Sequence, residues 1–290
     1  MRKDRNCSQA MEKENNCITR KMSTRPYTKG EDVMSATHHN FTRANAVIAL
    51  SLLIIVIFAG PVARLGLCAP LTAFKAAMFA SLVGLSICGL LTLWVIIRGL
   101  QGEPTPALKA HWKTIVLTGL ASGFFWILNA QVGNYPPIHS ITTDPSSPPL
   151  FEFLTHQRED HWNSLSYPQE KNAPLQLAAY PDIRPVMTTS PPDEAYTTAL
   201  TVAQSLGWDI VHTSGEKYLI EASQTSFWFG FVDDIAIRVQ PHTPPHGAGS
   251  RIDLISVSRV GMNDFGANAT RLRQFIRAFE KATNQHKPPL

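Results

Sequence analysis

Hydrophobic positions along the chain fall into two regimes that meet near residue 134. Upstream, apolar residues run on without a polar face in three stretches: IALSLLIIVIFAG, FASLVGLSICGLLTLWVII and IVLTGLASGFFWILNAQV. A helix needs roughly 20 apolar residues to cross about 30 Å of hydrocarbon. No Asp, Glu, Lys or Arg interrupts these stretches, so they predict transmembrane helices at about 44–63, 76–97 and 114–133. Trp94 and Trp112 lie near the ends, where an indole favours the membrane interface. A cleaved signal peptide does not fit, because the first stretch starts too deep and two more follow.

Downstream the period changes. Residues 134–150 (NYPPIHSITTDPSSPPL) carry five prolines and no apolar rhythm, which predicts a semi-rigid extended stalk. Residues 151–180 are mixed, with a short helix expected near 151–161. Ser190-Pro-Pro-Asp193 reads as a helix start, with Ser190 as N-cap, Pro191 at N1 and Asp193 favoured by the dipole. Ala195, Ala199, Leu200, Val202, Ala203 and Leu206 then recur at helical spacing, and Gly207 ends the helix. Four strands are expected at 208–214, 217–225, 229–239 and 251–259. Ser214-Gly215 makes a hairpin turn between the first two, and a Pro/Gly/His loop at 240–250 joins the last two. Asp264 caps a final helix striped by Leu272, Phe275, Ile276 and Phe279. The expected fold is α+β: three membrane helices, then a globular domain (151–290) whose antiparallel sheet of about four strands carries two helices on one face.

The mean hydropathy of −0.05 averages these two regimes, and the net charge of +4 hides a similar split. Residues 1–134 hold 14 Lys+Arg against 6 Asp+Glu; residues 135–290 hold 12 against 16. Nine of those bases lie in the tail 1–43, which is polar, poor in apolar pattern and expected to be disordered. Met34 offers a second possible translation start after Met1. Arg98, Lys109 and Lys113 occupy the connection between the second and third stretches, and the next base after Lys113 is Arg158. Positive charge inside orients the tail to the cytoplasm and the domain outside, the periplasm in a Gram-negative cell. Basic residues beside a membrane touch lipid, and an acidic domain speaks against nucleic acid. The four cysteines, Cys7, Cys17, Cys68 and Cys88, all precede the domain, which therefore has neither thiol nucleophile nor thiolate ligand.

The stretches PPIHSITTD (136–144), YPDIRP (180–185), GW (207–208), IEASQTSFWFGFVDDIAIRV (220–239) and IDLISVSRVGMNDFGANATRLRQF (252–275) resemble domain-of-unknown-function family 1499. The resemblance spans roughly residues 136–283, and the preceding helices suit membrane-anchored members. The family commonly reads His-Asp where this chain has His139-Ser140, which weakens a ligand pair there. The resemblance implies an architecture and no reaction.

Candidate chemistry lies in the polar members of these motifs. Adjacent strand residues point to opposite faces, so Asp233 and Asp234 are not a carboxylate dyad. Alternation sets Asp233 on the apolar face with Ile235 and Ile237, where it must be paired or have a raised pKa. Arg259 and Arg271 are its candidate partners. The run from Arg259 to Asn268 leads into a helix start whose N–H groups can cap on Asp264 or hold an anion. Asp233, Arg238, Arg259, Asp264, Asn268 and Arg271 are thus the candidate ligand-binding residues. The histidines lack metal-site spacing and no HExxH or Gly-x-Ser-x-Gly occurs, so neither metal, cofactor nor catalytic residue is assigned. The expected function is a membrane-anchored envelope protein whose domain binds a lipid, a small anion or an envelope partner without catalysis. The alternatives are a hydrolase-type enzyme using Asp233, Asp234 or His139, and a structural subunit of a membrane complex.

Overall fold

The computed structural model describes residues 29–102, 104–132, 134–242 and 249–285. Most of the tail, and residues 243–248 of the Pro/Gly/His loop, lie outside the described residues. Three long helices come first: α1 (Lys29–Arg64), α2 (Pro70–Leu100) and α3 (Pro104–Val132). Residues 29–43, expected to be disordered, are the first turns of α1. A helix nucleated in the apolar stretch propagates at little cost into neighbouring sequence.

Two of these helices, over Thr42–Arg64 and Pro70–Leu100, are long and apolar enough to cross a membrane. The third expected span is corrected: α3 is helical but does not meet that measure among the described residues. Lys109, His111 and Lys113 sit in its first half, and Thr114, Thr118 and Ser122 follow, which dilutes its apolar run. Small residues let the helices approach closely. Ser81 donates to the Ala121 carbonyl at 2.7 Å, and a Cβ on Gly84 would stand 3.2 Å from the Thr118 carbonyl.

The domain is α+β with an antiparallel sheet, as the sequence predicts, but the sheet has six strands. They are β1 (Ser140–Thr142), β2 (Val186–Thr188), β3 (Asp209–Ser214), β4 (Leu219–Thr225), β5 (Val232–His242) and β6 (Gly249–Ser258). The order is β1-β6-β5-β4-β3, with β2 also on β6. The two unexpected strands lie end to end on the outer edge of β6: Ser140 opposes Val257 and Val186 opposes Ile252. Two three-residue strands blunt an edge that would otherwise be a pairing template. Residues 134–150 are accordingly part of the domain rather than a free stalk, with Ile138 and Ile141 buried in its core.

Strand alternation divides the core into two layers. Ile220, Ala222, Ile235, Ile237, Ile252 and Leu254 meet α5 (Pro192–Ser205) and α6 (Ala267–Gln285), which carries Leu272, Phe275 and Phe279. Leu219, Ala236, Ile255 and Val257 face the other way, beneath Phe151, Leu154 and Tyr167. That second face is covered by a short 3-10 helix (Leu154–Gln157) and by α4 (Gln169–Ala179), which periodicity does not signal. Gln176 of α4 instead substitutes for a strand, accepting from the Thr142 N–H and donating to the Thr142 carbonyl. Ser190 does not cap α5: the helix begins at Pro192, with Pro191 in extended geometry before it and no side-chain cap.

The domain rests directly on the helices. Phe229, in the β4–β5 turn, is buried with Ala59, Ala63, Ala73 and Ala77 of α1 and α2. Phe74 of α2 meets Phe229 edge-on at 5.4 Å and Phe231 at 6.0 Å between centroids. Gly60 of α1 leaves room for the Trp228 indole, which any Cβ there would strike.

Candidate functional site

The helix-facing side of the sheet turns from apolar to polar at the end nearest α1, α2 and α3. Gln224 of β4, Asp233 of β5 and Ser258 of β6 stand side by side in register. Arg271 crosses them from α6, two turns of helix past Asp264. Its Nη2 donates to Asp233 Oδ2 at 2.7 Å, its Nε to Gln224 at 2.6 Å, and its Nη1 to Ser256 and Asn268 at 2.9 and 2.6 Å. Four of the five guanidinium N–H donors are thus held by the protein's own groups. Asn268 donates in turn to the His139 carbonyl and to Ser258 Oγ, both at 3.0 Å. The side chains of both Asp233 and Arg271 are 7% exposed, so the ion pair is buried and its hydrogen-bond network is what makes it tolerable.

Asp264 begins α6. Its Oδ1 accepts from the Gly266 N–H at 3.0 Å and its Oδ2 from the Asn268 N–H at 2.9 Å, a side-chain cap on two otherwise unpaired donors. Burial raises its pKa above the ordinary carboxylate value, opposed by those two N–H groups, and the nearby Asp233 charge raises it further. Phe265 and Gly266 adopt positive φ at this turn, and a Cβ on Gly266 would strike the Tyr135 ring.

Between this polar end and the helices α2 and α3 lies a cavity of about 450 Å³. That is within the range of small-molecule pockets, roughly 300–1,000 Å³. Leu71 and Phe74 of α2 and Leu128 of α3 form one wall; Phe229, Phe231 and the loop Val260–Phe265 form the other. Asp233, Ser258 and Asp264 supply its polar end. Asp233 Oδ1 accepts no hydrogen bond from the described residues, although its carboxylate is almost wholly withdrawn from solvent. At the rim, Met262 is 85% exposed, and Phe227 is similarly bare on the adjoining β4–β5 turn.

The opposite face of the sheet carries a separate cluster. Asp234 accepts from Arg259 Nε at 3.1 Å and Nη2 at 2.8 Å, and also from Arg158. Both guanidinium groups lie over the Trp162 ring, Arg259 at 4.3 Å and Arg158 at 5.4 Å from its centroid. Asn163, next to that tryptophan, donates to the carbonyls of Ser258 and Gly261. The cluster therefore clamps the loop that forms one wall of the cavity, without entering it. Elsewhere on the same face, Arg238 and Arg251 hold Asp253, and Arg251 also reaches Asp144. Arg238 lies five residues from Asp233 on β5, roughly 17 Å along a strand.

Of the six candidate ligand residues, four come together at the cavity end of the domain: Asp233, Asp264, Asn268 and Arg271. Arg259 and Arg238 lie on the other face and do not join them. The expected alternatives for the partner of Asp233 resolve to Arg271, while Arg259 serves Asp234. Asp233, Asp234 and His139 do not converge. His139 precedes β1, where burial and then Lys171 and Arg158 lower its pKa, and its side chain is not part of the cavity lining. Gln224, Ser256 and Ser258 were missed among the motif residues, although alternation from Ile220 and Leu254 sets all three on the helix face. Phe74, Leu71 and Leu128 gave no signal, because a wall residue of a long apolar helix looks like any other apolar residue. Among the described residues, no three His, Cys, Asp or Glu side chains gather as a metal site.

Residues 140–279 match the family model described as a protein of unknown function, DUF1499. The match takes in all six strands, the cavity's polar end and most of α6. No curated protein matches the sequence significantly. Residues 140–279 thus form a domain of the DUF1499 family.

Proposed function

We propose that this protein is a membrane-anchored, non-catalytic binding protein that holds a membrane lipid in the cavity between its helices and its domain. The observation that carries this is the composition of the cavity walls: one is built from α2 and α3, the other from the domain's own aromatic turn and the loop before α6. An apolar pocket of that size with a few convergent polar groups is the usual form of a ligand site, and here it is walled in part by α2, a helix apolar enough to cross a bilayer. With α3 as a third, less apolar crossing beside the two apolar helices, the charge asymmetry of the loops orients the domain to the outside of the membrane, the periplasmic face in a bacterial inner membrane. Its exposed Phe227, Trp228 and Met262 would then lie at the level of the lipid headgroups, where such side chains are stable.

A small anion suits the cavity less well. Arg271 is engaged by four internal acceptors and Arg259 by Asp234 and Trp162, so neither presents a free fork to a ligand. The hydrolase alternative loses its constellation, since Asp233 and Asp234 lie on opposite faces of the sheet. The test is native mass spectrometry of the full-length protein released from membranes in mild detergent. A lipid adduct that survives in the wild type and disappears in Phe74→Trp, which fills the cavity, is the expected result. A bare protein mass from several detergents would reject the reading.

A further inference from the structure

The polar end of the cavity carries two carboxyl groups beside the neutral side chains of Ser226, Ser258 and Asn263. Asp233 presents an oxygen that no described residue satisfies, in a side chain 93% withdrawn from solvent. Asp264 adds a second carboxyl group, Ser258 a hydroxyl that already accepts from Asn268, and no Lys or Arg among the described residues enters the lining. Arg271, the nearest positive charge, lies behind Asp233 and is held by Gln224, Ser256 and Asn268 as well. That Asp233 oxygen is open to the cavity, so a ligand that fills the cavity without offering a donor would leave it unpaired, which is costly for an ionised acceptor most of all. The group that relieves it must bring an N–H or O–H, and a second anion placed beside two carboxyl groups would be repelled.

Resting on the lipid-binding reading above, we infer that the cavity selects lipids whose head carries hydrogen-bond donors and no negative charge, such as a hydroxyl or primary amine, with the acyl chain against Phe74, Leu71 and Leu128. The donor group meets Asp233 Oδ1, and the chain lies toward the membrane helices. Discrimination arises because a donor-free or anionic head leaves the carboxylate unsatisfied, the same asymmetry by which buried polar sites reject analogues that lack a hydrogen-bonding group.

The test uses the full-length protein in dodecyldimethylamine oxide, a detergent whose uncharged head has neither N–H nor O–H. Monomyristoylglycerol and myristate share one acyl chain and differ in the head. Each is titrated by isothermal calorimetry at mildly alkaline pH, where the fatty acid is ionised. The expected result is binding of the monoglyceride at least about tenfold tighter than myristate, a ratio worth about 1.4 kcal/mol. Phe74→Trp should abolish binding of both, and its failure to do so would move the site out of the cavity and overturn the inference. Equal or tighter binding of myristate would overturn the head-group selection while leaving the lipid reading intact. Binding of neither amphiphile would overturn both.

Discussion

Arg271→Ala is the most informative single change in the domain. It removes the only cation among the described residues that touches Asp233 and leaves that carboxylate in a side chain 7% exposed. It also strips one hydrogen bond each from Gln224, Ser256 and Asn268. Breaking a buried ion pair by removing one partner typically costs about 3–5 kcal/mol, because an uncompensated charge stays behind. The full range applies here, since neither side chain is exposed enough for solvent to screen the loss. For a domain of this size roughly 2–4 °C of melting temperature goes with each kcal/mol, so the transition should fall by roughly 6–20 °C. The assay is thermal unfolding of the full-length protein in detergent, followed by the emission of Trp208, which stacks on Phe275 in the domain core at 5.4 Å. The double variant Asp233→Leu with Arg271→Met replaces charge by apolar volume and should recover most of the loss, as buried pairs often allow. If Arg271→Ala melts within a degree or two of the wild type, the pair is not a lock and the argument fails. If the double variant is no better than the single, the cost lies in packing of the arginine stem and not in the orphaned charge.

Other predictions follow from the same geometry. Gly60→Leu puts a side chain where the Trp228 indole lies, so the domain should lift from the helices without unfolding; faster protease cleavage near residue 134 with an unchanged domain melting temperature is the expected signature. Trp162→Ala removes the surface on which Arg259 and Arg158 lie and should cost about 1–2 kcal/mol by the same melting assay. Asp264 has a raised pKa in the folded state, so the folded form holds its proton more tightly and stability falls as pH rises from 3.8 through the raised value. Asp264→Asn should flatten that fall. The opposite sign holds for His139, whose pKa is lowered: stability is lost as pH drops below 6.5, and His139→Gln should remove that part of the acid-side loss.

Much of this protein is determined by local pattern. The long apolar runs specify helices because they leave no polar face to turn outward, and two of them pass as membrane spans. The four long strands and the two helices on one face follow from periods of 2 and 3.6, which record burial on one side only. Alternation alone separates Asp233 from Asp234, and it does so correctly because the period of a strand admits no other outcome. Asp264 as the cap of the last helix is also a local matter, a carboxylate two to four residues from the N–H groups it accepts.

What only the tertiary structure decided are the pairings between distant parts of the chain. Ser140–Thr142 and Val186–Thr188 are too short to show alternation and are flanked by prolines, so they become strands only because β6 offers an open edge. Arg259 and Arg271 are chemically equivalent partners for either aspartate in the sequence. Alternation past Ser258 turns Arg259 to the far face, and the packing of α6 on the near face brings Arg271 to Asp233. The cavity is the extreme case: Phe74 and Asp233 are far apart along the chain and belong to segments with different periods. They share one pocket because the β4–β5 turn seats Phe229 among the small residues of α1 and α2, a contact that side-chain volume and helix spacing decide and that no local pattern encodes.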